Sequence, residues 1–170
     1  MTKIYLVRHA IAEKRDPARW PDDSLRPLTA EGIGHFRSAA RGLRRIVAHV
    51  DVVLSSSYTR AWDTAEILRK EADWPSAERC RELEGDQAPG VTLDALQRRN
   101  AASALALVGH EPNLSALGAL LLTGYEDAVE LELKKGAVAL VEIPAGVAPG
   151  AGVLRWSMSP KILRALDSRA

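Results

Sequence analysis

Two histidines and two arginines in this 170-residue chain stand where apolar runs give out. His9 follows Arg8 at the end of Ile4-Tyr5-Leu6-Val7, and His110 follows Gly109 at the end of Leu105-Ala106-Leu107-Val108. Arg60 lies just past Ser55-Ser56-Ser57, which closes the run Asp51-Val52-Val53-Leu54. Two guanidiniums can fork onto the oxygens of a phosphate, and their permanent charge holds a dianion without a metal. An imidazole, with an ordinary pKa near ~6.5, is largely neutral at neutral pH and can attack phosphorus in line. The transition state of that transfer is loose and spreads charge over three oxygens, so positioned cations are what it needs most. These residue types together describe a phosphate site in which an imidazole takes up the phosphoryl group and water then releases it.

The elements that must position them are short and regular. The three apolar runs read as strands buried on both faces, the mark of a parallel sheet. Thr29 is a good N-cap with Glu31 in the first turn, and Phe36, Ala39, Ala40, Leu43 and Val47 recur at helical spacing to about Ala48, although Gly32, Gly34 and Gly42 weaken that helix. A helix runs from the serine turn through Ala61, Ala65 and Leu68 towards Glu71, and an apolar one from Asn113 to Leu122. Ser76 to Leu83 is a weaker strand pattern, Glu84 to Val91 a loop, and Thr92 the cap of a short helix reaching Arg99. Ala137 to Ile143 and Val153 to Met158 form two further strands, and Lys161 to Leu166 a closing helix. The long stretch Ile11 to Pro27, with three prolines and no period, reads as a functional loop. Alternation of strand and helix implies a three-layer α/β/α sandwich with a largely parallel central sheet, in one domain spanning 1–170. In such sheets ligands bind beyond the carboxyl ends of the strands, which is where both histidines fall.

Composition narrows the class. With 23 basic and 22 acidic residues the net charge is +1, so no field over the whole molecule favours nucleic acid or an anionic membrane. Apolar runs such as Leu114 to Leu122 fall well short of the ~20 residues that a membrane-spanning helix needs. Cys80 is the only cysteine, which excludes an intrachain disulfide and fits a cytoplasmic protein; its simplest role is a small buried apolar residue.

The stretches Leu6 to Ala10, Arg26 to Gly32, Ser55 to Ala65, Val108 to Pro112 and Lys134 to Ala137 are similar to the motifs of the histidine phosphatase (phosphoglycerate mutase-like) superfamily. Leu6-Val7-Arg8-His9-Ala10 resembles its Arg-His-Gly signature, with alanine for glycine as in the short SixA-like branch. Arg26-Pro27-Leu28-Thr29-Ala30-Glu31-Gly32, Ser55 through Ala65, Val108-Gly109-His110-Glu111-Pro112 and Lys134-Lys135-Gly136-Ala137 follow in the family's order; Ser57 stands where many relatives have proline. The resemblance implies a phosphoglycerate mutase-like fold, His9 as nucleophile, Arg8 and Arg60 as phosphate clamps, and His110 as a second phosphate-binding histidine. It implies a general acid among Glu82, Glu84 and Asp86; Glu84 is preferred because it precedes Gly85, where the chain leaves the strand. A P–N substrate, with its easily expelled imidazole, does not require that acid.

The implied activity is a metal-independent phosphohydrolase without cofactor, working through a covalent phosphohistidine on His9. Its expected substrate is a phosphohistidine on a protein phosphorelay domain, with little chain left to form a lid. The alternatives are a small phosphorylated metabolite or a phosphate-binding module without turnover. A monomer is expected. A metal site on His9, His110 and a carboxylate is disfavoured, since no two ligands show zinc-like spacing and the arginines would repel a cation. Without a Gly-x-Ser-x-Gly turn, the serines read better as phosphate donors than as nucleophiles. Glu13 and Glu111, close behind the motif histidines, either tune them or are solvated, and Arg41, Arg44 and Arg45 read as a solvated helix face.

Overall fold

Strict alternation along the strands decides which side chains face which layer. The computed structural model describes residues 1–99 and 102–167. In chain order the elements are β1 (Thr2–Arg8), α1 (Ala30–Arg44), β2 (Val52–Ser55), α2 (Thr59–Glu71), β3 (Ala77–Arg79), α3 (Pro89–Gln97), β4 (Ala104–Gly109), α4 (Asn113–Thr123), β5 (Val138–Ile143), β6 (Val153–Met158) and α5 (Pro160–Asp167). Tyr5, Val7, Val53, Ala106 and Val108 point to one face, packed by α1, α2 and α5. Ile4, Leu6, Leu54, Leu105 and Leu107 point to the other, packed by α3 and α4. Both sets are buried, so the expected three layers are present around one six-stranded sheet.

The strand order is β3-β2-β4-β1-β5-β6. Pairings β1 with β4, β2 with β4 and β2 with β3 are parallel, while β5 runs antiparallel to both β1 and β6. The sheet is therefore mixed, with β5 alone reversed among its described strands. Register brings the tips together: Arg8 pairs with Gly109 and Ser55 with Val108. Asp51 fixes that register from the opposite end, its Oδ2 accepting from the Ser103 and Ala104 amides and the Ser103 hydroxyl, each at 2.8 Å.

Several sequence expectations shift in detail. The glycines that weaken α1 on paper are where its packing is closest: a Cβ on Gly32 would fall 2.1 Å from the Ile11 carbonyl oxygen, and one on Gly42 1.9 Å from that of Leu163. Thr92 is not a cap. The helix α3 starts at Pro89, whose ring suits a first helical position, and the Thr92 hydroxyl instead donates to the Glu82 carbonyl at 2.5 Å. Of Ser76 to Leu83, only Ala77–Arg79 is strand, because the chain then tightens into a 3-10 turn at Arg81–Leu83. The loop from Ile11 to Pro27 is tied down by a bridge between Ala12 and Leu28 and holds a 3-10 turn at Asp23–Leu25.

Candidate active site

Three adjacent parallel strands deliver the site. Past the tip of β1, the His9 amide donates to the Gly109 carbonyl at 3.1 Å; past β2, the Ser56 amide donates to Val108 at 3.0 Å. His9 and His110 thus leave neighbouring strands side by side, ring centroids 5.1 Å apart, both nearly buried. Arg60 enters from the first turn of α2, and Arg8 is held from the segment that precedes β5, its Nη1 donating to the Leu133 carbonyl at 2.8 Å. All four line one hollow of about 720 Å³.

The tautomer of His9 follows from its partner. Its Nδ1 lies 2.7 Å from the Ala10 carbonyl oxygen, which can only accept, so Nδ1 carries the proton and Nε2 keeps a lone pair. Burial first, then the charges of Arg60, Arg8 and Lys135, push its pKa down to about 3 against the pull of the Ala10 carbonyl, leaving the ring neutral near pH 7. Burial, with the neighbouring His9 and Arg60, also lowers His110 to about 3. Ser56 Oγ accepts from the Tyr58 amide at 3.2 Å and lies 2.9 Å from His110 Nε2.

Arg60 is only 5% exposed, yet its charge is paired: Nη1 donates to the Asp23 carbonyl at 2.8 Å and Nη2 lies 3.1 Å from Asp23 Oδ2. Arg26 grips the same carboxylate through Nε at 2.8 Å and the Glu13 carbonyl through Nη1 at 2.7 Å. The hydrogen bond from Arg26 holds the Asp23 carboxyl below its ordinary range, so it stays charged. Three buried nitrogens of this site, Arg8 Nε, Arg60 Nε and His110 Nδ1, have no hydrogen-bond partner. An unpaired buried polar atom is costly, and three around one hollow fit a ligand rich in oxygen acceptors.

The expected acid fares differently from the other four. Glu84 accepts from Ser57 Oγ at 2.5 Å, and the wall of the hollow at that point is Gly85 and Asp86. Glu84 is not brought in with His9. Glu82 turns to Cys80 and Arg98, leaving Asp86 as the one of the three that lines the hollow. Glu111 lines it too; burial raises its carboxyl pKa, and Ser115 donates to it. Asp23 carries no functional signal in the sequence, and Arg26 enters it only as the first residue of the family-like stretch Arg26 to Gly32. The loop without periodicity was the clue to them, since a loop that long and that proline-rich is seldom a mere connector. Among the described residues, no group of three His, Cys, Asp or Glu side chains could hold a metal ion.

The sequence model of the histidine phosphatase superfamily (branch 1) matches residues 4–118. The chain belongs to that superfamily. A Picosynechococcus protein of uncharacterised role is 33% identical over 80% of this chain and 82% of its own. The phosphohistidine phosphatase SixA of Escherichia coli is 31% identical over 93% of the chain and 94% of its own length. A solved structure of the protein histidine phosphatase SixA complexed with tungstate superimposes with a TM-score of 0.83 at 27% identity, covering 95% of this chain and 99% of that one. The fold and the SixA-like branch are those of the resemblance read from the motifs. Among the described residues, no helix is long and apolar enough to cross a membrane.

Proposed function

We propose that the protein is a metal-independent phosphohistidine phosphatase that passes the phosphoryl group through His9. The observation that carries this reading is the imidazole of His9, fixed by Ala10 so that an unprotonated Nε2 lies in a hollow with Arg8, Arg60 and His110. In-line attack forms the Nε2–P bond as the bond from phosphorus to the leaving group breaks. Arg8 and Arg60 neutralise the three spreading oxygens. His110 is a neutral donor if Ser56, already accepting from Tyr58, gives its own hydroxyl proton to Nε2 and leaves the proton of the ring on Nδ1. Water then attacks phosphorus and frees both His9 and inorganic phosphate.

A phosphohistidine substrate expels imidazole, a far better leaving group than an alkoxide, and needs no dedicated acid. For a phosphoester the proton has to come from the protein, and we assign it to Asp86 on the wall of the hollow in place of Glu84. The similarity to SixA, whose solved structure carries the oxyanion tungstate, supports a phosphorylated protein as substrate.

The test is incubation with phosphoramidate, a phosphohistidine domain and a panel of small phosphoesters, with and without a chelator. The expected result is acid-labile, base-stable phosphate on the protein and fastest turnover of the P–N donors, unaffected by chelation and abolished in His9→Ala. Turnover of a small ester faster by orders of magnitude would make it a metabolite phosphatase. Phosphate binding with no turnover of any donor would make it a binding module.

A further inference from the structure

A second concavity of about 420 Å³ opens beside the hollow of His9, and Arg8 and Glu111 line both. It lies between the start of α4 and residues 126–133. The two differ in charge. The first sets six cations, Arg8, Arg26, Arg60 and Lys135 among them, against five carboxylates, whereas in the second Arg8 faces five carboxylates, Glu111 and the four of Glu126, Asp127, Glu130 and Glu132. All four of these carboxylates are exposed, and none forms an ion pair within the described residues. Between them the surface is apolar, with Pro112, Ala116, Val129 and Leu131.

This acidic wall is held in place by the catalytic framework. Leu133, at its end, is buried, and its carbonyl accepts from Arg8 Nη1; three residues on, the Gly136 amide donates to the carbonyls of Arg8 and His9 at 3.1 and 3.0 Å. A phosphate clamped by Arg8 therefore has a fixed relation to the acidic wall. Such a wall is unfavourable to a small dianionic metabolite, because at physiological salt its charges act over a screening length of about 8 Å. A substrate whose phosphoryl group is separated from ammonium or guanidinium groups has the opposite balance. The long stems of lysine and arginine also suit an apolar floor with a charged rim.

We infer that the second hollow is a docking subsite for the basic segment flanking the phosphohistidine of a protein substrate. This deepens the proposed phosphohistidine phosphatase activity and rests on it. The commitment to a protein comes from charge complementarity and from continuity with the phosphate hollow; nucleic acid, with its own phosphates, is repelled by the same wall.

Three donors separate the possibilities: phosphoramidate, which has no flank, and two synthetic phosphohistidine peptides differing only in lysine or glutamate flanks. At low salt the lysine-flanked peptide is expected to have a kcat/KM higher by about tenfold or more, an advantage that shrinks as ionic strength rises. The triple variant Glu126→Gln, Glu130→Gln, Glu132→Gln should bring that ratio to about one while turning over phosphoramidate like the wild type. Equal rates for the two peptides in the wild type, or a ratio that survives in the triple variant, would overturn the docking subsite and leave the phosphotransfer reading intact. Absence of phosphoenzyme from phosphoramidate in the wild type would instead sink the phosphotransfer reading, and the subsite with it.

Discussion

A negative charge sits where the proposed phosphoryl transfer needs positive ones: Asp23 occupies both Nη atoms of Arg60 in the hollow that contains His9. Its carboxylate has two opposed effects. It fixes the guanidinium, which lies 5.1 Å from the Tyr58 ring, and so spares the ordering cost on substrate arrival. It also repels an incoming dianion. Two substitutions separate these effects, because asparagine keeps an oxygen acceptor and discards the charge, while alanine discards both. Asp23→Asn should lower KM and the inhibition constant for product phosphate by about threefold to tenfold, since at a few ångströms one partly screened charge contributes about 0.7–1.4 kcal/mol. Asp23→Ala should lower kcat by about tenfold or more, because Arg60 Nη2 loses its carboxylate partner and only the main-chain carbonyl at Nη1 still orients the guanidinium. Steady-state kinetics with phosphoramidate reads both, and an asparagine variant whose KM stays the same or rises would contradict the repulsion. His9, Arg8, Arg60 and His110 were legible because each ends or follows a strand with a strong apolar signature. Asp23 was not, since its partner is 37 residues away and nothing local marks the contact.

At the scale of elements, the rim of the hollow depends on the register of β4 against its neighbours, and Asp51 secures it by hydrogen bonds across to Ser103 and Ala104. Those bonds, with His49 Nε2 at 2.7 Å, hold the Asp51 carboxyl at about 2. The folded value is below the unfolded one, so this stabilisation is complete above about pH 4 and lost as pH falls towards about 2. Asp51→Asn turns an amide N–H towards donors, and at pH 7 it should lower Tm by about 2–8 °C. The deficit should narrow in acid; thermal scans giving a deficit as large at pH 2.5 as at pH 7 would exclude this account. Sequence patterning did well for β1, β2, β4 and α4, whose burial on both faces leaves a nearly continuous apolar run. It did poorly from Ser76 to Val91. There β3 is three residues long at the edge of the sheet, and the Thr92 hydroxyl is drawn away from capping by a carbonyl ten residues earlier. Such tertiary partners leave no local trace.

For the molecule as a whole, the chemistry imposes a cost on stability. Both His9 and His110 are buried and neutral, with pKa values near 3, whereas in the unfolded chain each titrates near 6.5. Between those limits the unfolded state binds more protons than the folded one, so stability falls as pH drops below about 6.5. For each imidazole the slope approaches about 1.4 kcal/mol per pH unit well below the unfolded pKa. Carboxylates begin to titrate below about pH 5, which leaves the interval from 6.5 to 5 as the window in which the two histidines dominate. Oxyanion binding acts in the opposite sense, because it ties stability to occupancy and adds about 2.7 kcal/mol at a ligand concentration 100 times Kd. The wild type should therefore lose Tm steadily from pH 6.5 to 5. His9→Asn with His110→Asn, which replaces both titrating rings by a smaller neutral polar side chain, should flatten that slope even if the variant is less stable at pH 7. Saturating phosphate or tungstate should raise Tm in the wild type and have little effect in the double variant. Parallel slopes for the two proteins across that window would mean that the imidazoles are not held neutral by burial, and the proposed attack by His9 would lose its physical basis at neutral pH.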